Sequence, residues 1–268
     1  MSARASFLGF SLEPAARTPT VWGLLLAGTA LAWAFTIRTA SSMGNGPGTM
    51  GMGLAAFMPM WVAMMAAMML PAIAPLGSMY VRGLKANSSG FSGIMRVVGL
   101  VAGYLTVWAA FGVVAFALAR VTGHVAEQHP LGALYAGAAI FGVSGLYQLS
   151  PLKDACLKHC RSPLAFLLHF GNYKGRTRDV RVGITHGAFC LGCCAGLMVI
   201  LLAVGVMNVA WMVGLAAVIF LEKTWRFGKG FGVTFGIALI VLAFIVPSHP
   251  GLVPGLHVAR TGAMHMTG

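Results

Sequence analysis

The sequence predicts an all-α, polytopic membrane bundle of about seven transmembrane helices, with its N-terminus inside and its C-terminus outside. Three observations predict it. First, only 9% of the 268 residues are charged and 58% are apolar, whereas a soluble domain spends roughly a quarter of its residues on charge. Second, apolar runs recur that can cross a hydrocarbon core about 30 Å thick, which takes roughly 20 residues at a rise of about 1.5 Å each. Third, Lys and Arg alternate between the segments that join those runs. The composition (mean hydropathy +0.84) leaves too little charge to coat a water-facing surface. It excludes an ordinary soluble enzyme, a disordered tail protein and a secreted disulfide scaffold.

The expected spans are Val21 to Ile37, Leu54 to Leu76, Val97 to Ala119, Leu131 to Leu149, Gly183 to Val204, Val206 to Leu221 and Phe231 to Val246. The first is longer than the apolar core of a signal peptide, and no convincing A-x-A site follows it, so it reads as a retained helix. Only Gly205 and Asn208 punctuate the boundary between the fifth and sixth, which requires a tight hairpin. The organisation is then a cytoplasmic tail (1–20), one membrane domain (21–246) with a basic cytoplasmic loop at 150–182, and an extracytoplasmic tail (247–268).

Orientation follows from the 18 Lys and Arg residues. Fifteen fall on one set of alternate segments, from Arg4 and Arg17 through the run Lys153 to Arg181 to Lys223, Arg226 and Lys229; Arg38, Arg120 and Arg260 fall on the other. Cytoplasmic loops keep the excess of positive charge. The net charge of +13 is therefore a topology signal and implies no nucleic-acid partner; its partners are the bilayer and its anionic head groups. A multi-pass protein of a cell membrane is expected, the inner membrane of a bacterium. Three pairs, Gly99/Gly103, Gly192/Gly196 and Gly232/Gly236, set small residues on one helix face and read as helix packing.

Function is argued from sulfur and imidazole. Seventeen Met are present. Met43, Met50 and Met52 precede the second span, which holds Met58, Met60, Met64, Met65, Met68 and Met69 before Pro71 and Pro75. Met60, Met64 and Met68 repeat at i, i+4, i+8, with Met65 and Met69 beside them, forming a thioether stripe. Met is also a flexible apolar filler, so the stripe alone does not specify a ligand. The fifth span sharpens the reading. His186, Cys190 and Cys194 repeat at i, i+4, i+8, with Cys193 adjacent and Met198 a turn beyond. A second set, Cys156, His159 and Cys160, shares a face if the inner loop is helical there. Thiol and thioether sulfur favour Cu(I), while the Cys and His positions leave Cu versus Zn open. Glu222 beside Lys223 reads as an interfacial pair at the end of the sixth span. No Ser-His-Asp set, phosphate loop or H-E-x-x-H motif occurs, so no enzyme is expected.

Three blocks carry a family resemblance. They are Met64-Met-Ala-Ala-Met-Met-Leu-Pro71, Pro151-Leu-Lys-Asp-Ala-Cys-Leu-Lys-His-Cys-Arg-Ser-Pro163, and Gly187-Ala-Phe-Cys-Leu-Gly-Cys-Cys-Ala-Gly-Leu-Met198 followed by Gly205 to Met212 and Glu222-Lys223. In this order, over residues 55–230, they resemble the DUF2182 family of metal-binding integral membrane proteins, some regarded as copper chaperones for a copper enzyme such as a tyrosinase. The resemblance implies copper handling and carries to Met64, Met65, Met68, Met69, Cys156, Cys160, Cys190, Cys193 and Cys194. Ala195 stands where the family pattern has Trp. The reading is a Cu(I)-binding membrane protein that delivers copper to a client or translocates it. A thiol-disulfide oxidoreductase using Cys190-x-x-Cys193 and a structural or assembly subunit, in an oligomer, are the alternatives.

Overall fold

The computed structural model describes residues 18–256 apart from 44–47, 50, 83–89 and 171–172. Met50 and the tail residues His257, Met264, His265 and Met266 fall outside the described residues. Those described are predominantly helical, with no strand among them. The helices are α1 (Thr18–Met43), α2 (Leu54–Arg82), α3 (Gly90–Gln128), α4 (Pro130–Gln148), α5 (Pro151–Arg161), α6 (Pro163–Phe170), α7 (Arg178–Val204), α8 (Val209–Thr224) and α9 (Gly228–Ile245), followed by three short 3₁₀ turns. Six of them, α1, α2, α3, α4, α7 and α9, are long and apolar enough to cross a bilayer.

Two elements differ from expectation. The sixth expected span starts late, because Gly205 adopts φ +99° and the chain turns until Asn208, whose side chain accepts from the Trp211 N–H at 3.2 Å and caps α8. The resulting α8 has 16 residues, about 24 Å at 1.5 Å each, short of a full hydrocarbon core. Its outer face is nonetheless apolar, with Val213, Phe220 and Leu221 exposed. The basic loop at 150–182 is also largely helical. Ser150 accepts from the Lys153 N–H, Pro151 occupies the first turn, Asp154 complements the helix dipole there, and Lys158, His159 and Arg161 do so at the other end of α5. Pro163 then ends one helix and begins the next. The third expected span extends to the 39 residues of α3, and α2 runs unbroken through Pro59, Pro71 and Pro75.

The bundle has a centre. The apolar window of α7 is 61% buried and that of α2 56%, against 22–33% for the other four. The two helices that carry the cysteines and the methionine stripe are thus the most enclosed. They are not side by side: α7 packs most extensively on α3, α5 and α4, and α2 on α1 and α3. The α3–α7 contact is close because each helix lacks side chains where the other passes. A Cβ on Gly103 would meet the Val180 backbone, one on Gly183 the Leu100 carbonyl, and one on Gly187 the Tyr104 carbonyl at 3.1 Å. In lipid, where apolar surface has no reason to leave its solvent, such approach is what holds helices together.

Candidate metal centre

One helical turn supplies the nucleus of the site. Cys190, Cys193 and Cys194 of α7 bring their Sγ atoms within 4.8 Å of one another, and all three are at most 1% exposed. Among the described residues, they are the His, Cys, Asp or Glu donors gathered into such a group. The closest sulfurs are Cys193 and Cys194, at 3.3 Å. All five cysteines are free thiols.

The second cysteine set reaches the first from below. Leu157 and Cys160 follow Lys153 at i+4 and i+7, and these three residues form the buried face of α5. This face lies against α7 and brings the Cys160 Sγ to 3.7 Å from that of Cys193. Cys156, half-buried, rests on the bare backbone of Gly192: a Cβ there would lie 2.6 Å from its sulfur. Burial raises the Cys156 thiol above its ordinary pKa. A run of thiols therefore descends from the closed α7 cluster through Cys160 to partly accessible Cys156.

The imidazoles stand apart from the sulfur group. His186, 3% exposed, lies between Phe166 and Tyr104, with ring centroids 5.0 Å and 6.0 Å away, and its Nδ1 has no hydrogen-bond partner. His159 stacks on Phe189 at 4.1 Å and its Nδ1 pairs with the Ala155 carbonyl at 2.9 Å. The Met stripe is interior: Met60, Met64, Met65, Met68 and Met69 are at most 3% exposed. They share one continuous apolar core with the cysteines, on a helix that packs chiefly on α1 and α3 rather than on α7.

Charge is the part of the site that the sequence reading missed. Glu222 and Lys223 do not pair with each other, because consecutive helical residues point about 100° apart. Glu222, 1% exposed, accepts from Lys153 Nζ at 2.7 Å and from Gln148 Nε2 at 2.7 Å. Room for this carboxylate comes from α9, where a Cβ on Gly232 would sit 2.8 Å from Oε1. Lys223, 8% exposed, turns the other way and donates to Cys190 Sγ at 3.0 Å. The Tyr104 hydroxyl touches the same sulfur at 2.9 Å. Lys153 was detectable in principle, since it shares the i, i+4, i+7 stripe of α5 with Leu157 and Cys160; among so many basic residues it read as a loop charge. Tyr104 had no comparable signal.

A buried donor set made of thiols suits a soft metal ion and offers no oxygen ligands to Mg or Ca. A family model described as PpoB2, copper chaperone, matches residues 58–246. The chain belongs to this copper chaperone family. The matched stretch contains all five cysteines and the Lys153, Glu222 and Lys223 group. No curated protein and no solved structure matches the chain. In this member of the family Ala195 lines, with Gly196, Ser144 and Tyr147, an apolar recess of about 410 Å³ between α7 and α4. The aromatic surface beside the thiols comes from α4: the Tyr147 hydroxyl donates to the Gly192 carbonyl, and its ring would meet a Cβ on Gly196 at 2.8 Å.

Proposed function

We propose that the protein is a membrane copper chaperone of the DUF2182 type, a carrier rather than an enzyme, that holds Cu(I) within the sulfur group of Cys190, Cys193 and Cys194. It then passes the ion to a copper-dependent client or across the membrane. The observation that carries the reading is the gathering of three fully buried free thiols within 4.8 Å of one another. Burial excludes water, and thiolate sulfur favours copper in its lower oxidation state. Transfer proceeds by ligand exchange: an incoming sulfur joins the ion before an outgoing one leaves. Cys160, 3.7 Å from Cys193, is the next ligand in line, and Cys156 the one after. The methionines of α2 act earlier, as weak ligands on the outer approach, with His186 and His159 as auxiliary donors near the ends of the path. The seven-span orientation, with α8 crossing, puts Cys156 on the cytoplasmic side of a bacterial inner membrane.

The same burial disfavours the oxidoreductase reading, because no substrate thiol reaches a Cys190–Cys193 pair at most 1% exposed. The test is Cu(I) binding by the purified, fully reduced protein in detergent under anaerobic conditions. Wild type should take up about one tightly held equivalent. The variant carrying Cys190→Ser, Cys193→Ser and Cys194→Ser should take up none while remaining monodisperse. Copper-free wild type, or a triple variant that binds as wild type does, would refute the reading.

A further inference from the structure

The neighbourhood of the thiols carries an odd charge. Glu222 is matched by Lys153, so this pair sums to zero. Lys223 is left over. Among the described residues, no carboxylate lies within 4.0 Å of its ammonium, and its contact is the sulfur of Cys190 at 3.0 Å. A lone cation held away from water is unstable unless something of opposite sign accompanies it.

A monovalent copper ion on two thiolates supplies that sign. One positive charge and two negative ones leave a complex of charge −1, which the ammonium of Lys223 cancels. With three thiolates the assembly would carry a surplus negative charge in a low-dielectric interior, so the third cysteine of the group remains a neutral thiol. We propose that Lys223 is the counter-cation of a copper–dithiolate complex that includes Cys190, a positioning residue that makes the loaded centre electrically neutral. The proposal rests on the copper-binding reading above. It adds what that reading does not contain: a non-ligand residue from a different helix that sets how tightly the ion is held and on how many sulfurs.

The helix geometry supports the assignment. Glu222 and Lys223 are consecutive, so one turn of α8 sends its carboxylate to α5 and α4 and its ammonium to α7. The ion pair on one side therefore fixes the rotation of α8 that aims Lys223 at Cys190. Tyr104, bonded to the same sulfur from α3, stabilises charge on it without adding any of its own.

The experiment compares full-length wild type with Lys223→Met, Lys223→Gln and Lys223→Arg in detergent under anaerobic, reducing conditions. Cu(I) affinity is read by competition with a chromophoric Cu(I) chelator, the sulfur coordination number by X-ray absorption, and apo-protein stability by thermal unfolding. Both neutral variants should bind Cu(I) at least about tenfold more weakly, and Lys223→Arg should recover to within about threefold of wild type. The apo Tm of Lys223→Met should stay level or rise, because an apolar chain of similar shape replaces an unmatched buried charge. A purely structural role gives the opposite pairing, with affinity lost only in step with Tm. Wild-type affinity in both neutral variants, or three sulfurs on copper in the wild type, overturns the proposal. If Lys223→Met does not fold, Lys223→Gln decides. Wild type that binds no Cu(I) instead overturns the functional reading beneath it.

Discussion

Lys153→Met is the sharpest test of how the bundle is held. The mutation removes one partner of an ion pair whose side chains are each 2% exposed and whose N–O distance is 2.7 Å. What remains is a carboxylate on α8 with Gln148 as its sole donor, enclosed by Gly232 of α9. Breaking a buried pair from one side costs about 3–5 kcal/mol, because the surviving charge is left unmatched. In a chain of this length that is roughly 10 °C in Tm. The double variant Lys153→Met with Glu222→Gln removes both charges, and should regain most of the loss, since a buried pair and a neutral replacement differ little. Thermal unfolding in detergent, followed by Trp fluorescence, should therefore show a large drop for the single variant and a small one for the double. Exposed Lys158, changed to Met, is the control and should move Tm by less than about 2 °C. A single variant no worse than this control would refute the reasoning, because it would mean that Glu222 does not depend on Lys153.

Two other changes probe the same neighbourhood. Gly232→Ala places a methyl 2.8 Å from the Glu222 carboxylate; it should cost about 1–3 kcal/mol, read in the same assay, and the cost should shrink in the Glu222→Gln background if the carboxylate is what it strikes. Among the thiols, half-buried Cys156 should be alkylated first in the copper-free protein, with buried Cys160, Cys190, Cys193 and Cys194 protected. Since burial raises the Cys156 pKa above its usual value, the neutral thiol dominates at pH 7. Its labelling rate by a maleimide should keep climbing as pH rises past 9, roughly tenfold per unit until the group ionises. A rate that levels off below pH 8 would contradict that environment.

How much of this was legible in the sequence depends on what each signal encodes. Apolar length located α1, α2, α3, α4, α7 and α9, because a bilayer imposes its thickness on any crossing helix. It placed α8 about three residues early without changing its length, since the turn from Gly205 to Asn208 takes residues that hydropathy alone counts as span. The α7 thiols were legible because they lie within one turn, where spacing dictates proximity. The methionines show the limit of that argument. Spacing gives a stripe and the stripe is buried, but periodicity does not say which helix it meets, and here its helix packs chiefly on α1 and α3 while that of the cysteines packs on α3, α5 and α4. The Glu222–Lys223 pair was misread because adjacency in sequence was taken for adjacency in space. Lys153 left a trace in the buried stripe of α5, whereas Tyr104 enters the site through tertiary packing, which no local pattern records.

Helix α5 is only 11 residues long, yet it is riveted at three points to the hairpin that follows. Lys153 meets Glu222 of α8, Asp154 meets Lys229 of α9 at 2.7 Å, and Arg161 donates to the Trp225 carbonyl between them at 2.7 Å. The hairpin and the short helix thus form a single stiff slab. Among the described residues α5 meets α7 without an ion pair, through sulfur against sulfur, sulfur against glycine and the His159 ring stacked on Phe189. Cys160 is thereby anchored to the α8–α9 hairpin while Cys193 rides on α7, so a shift of the slab against α7 would change the spacing of those two sulfurs.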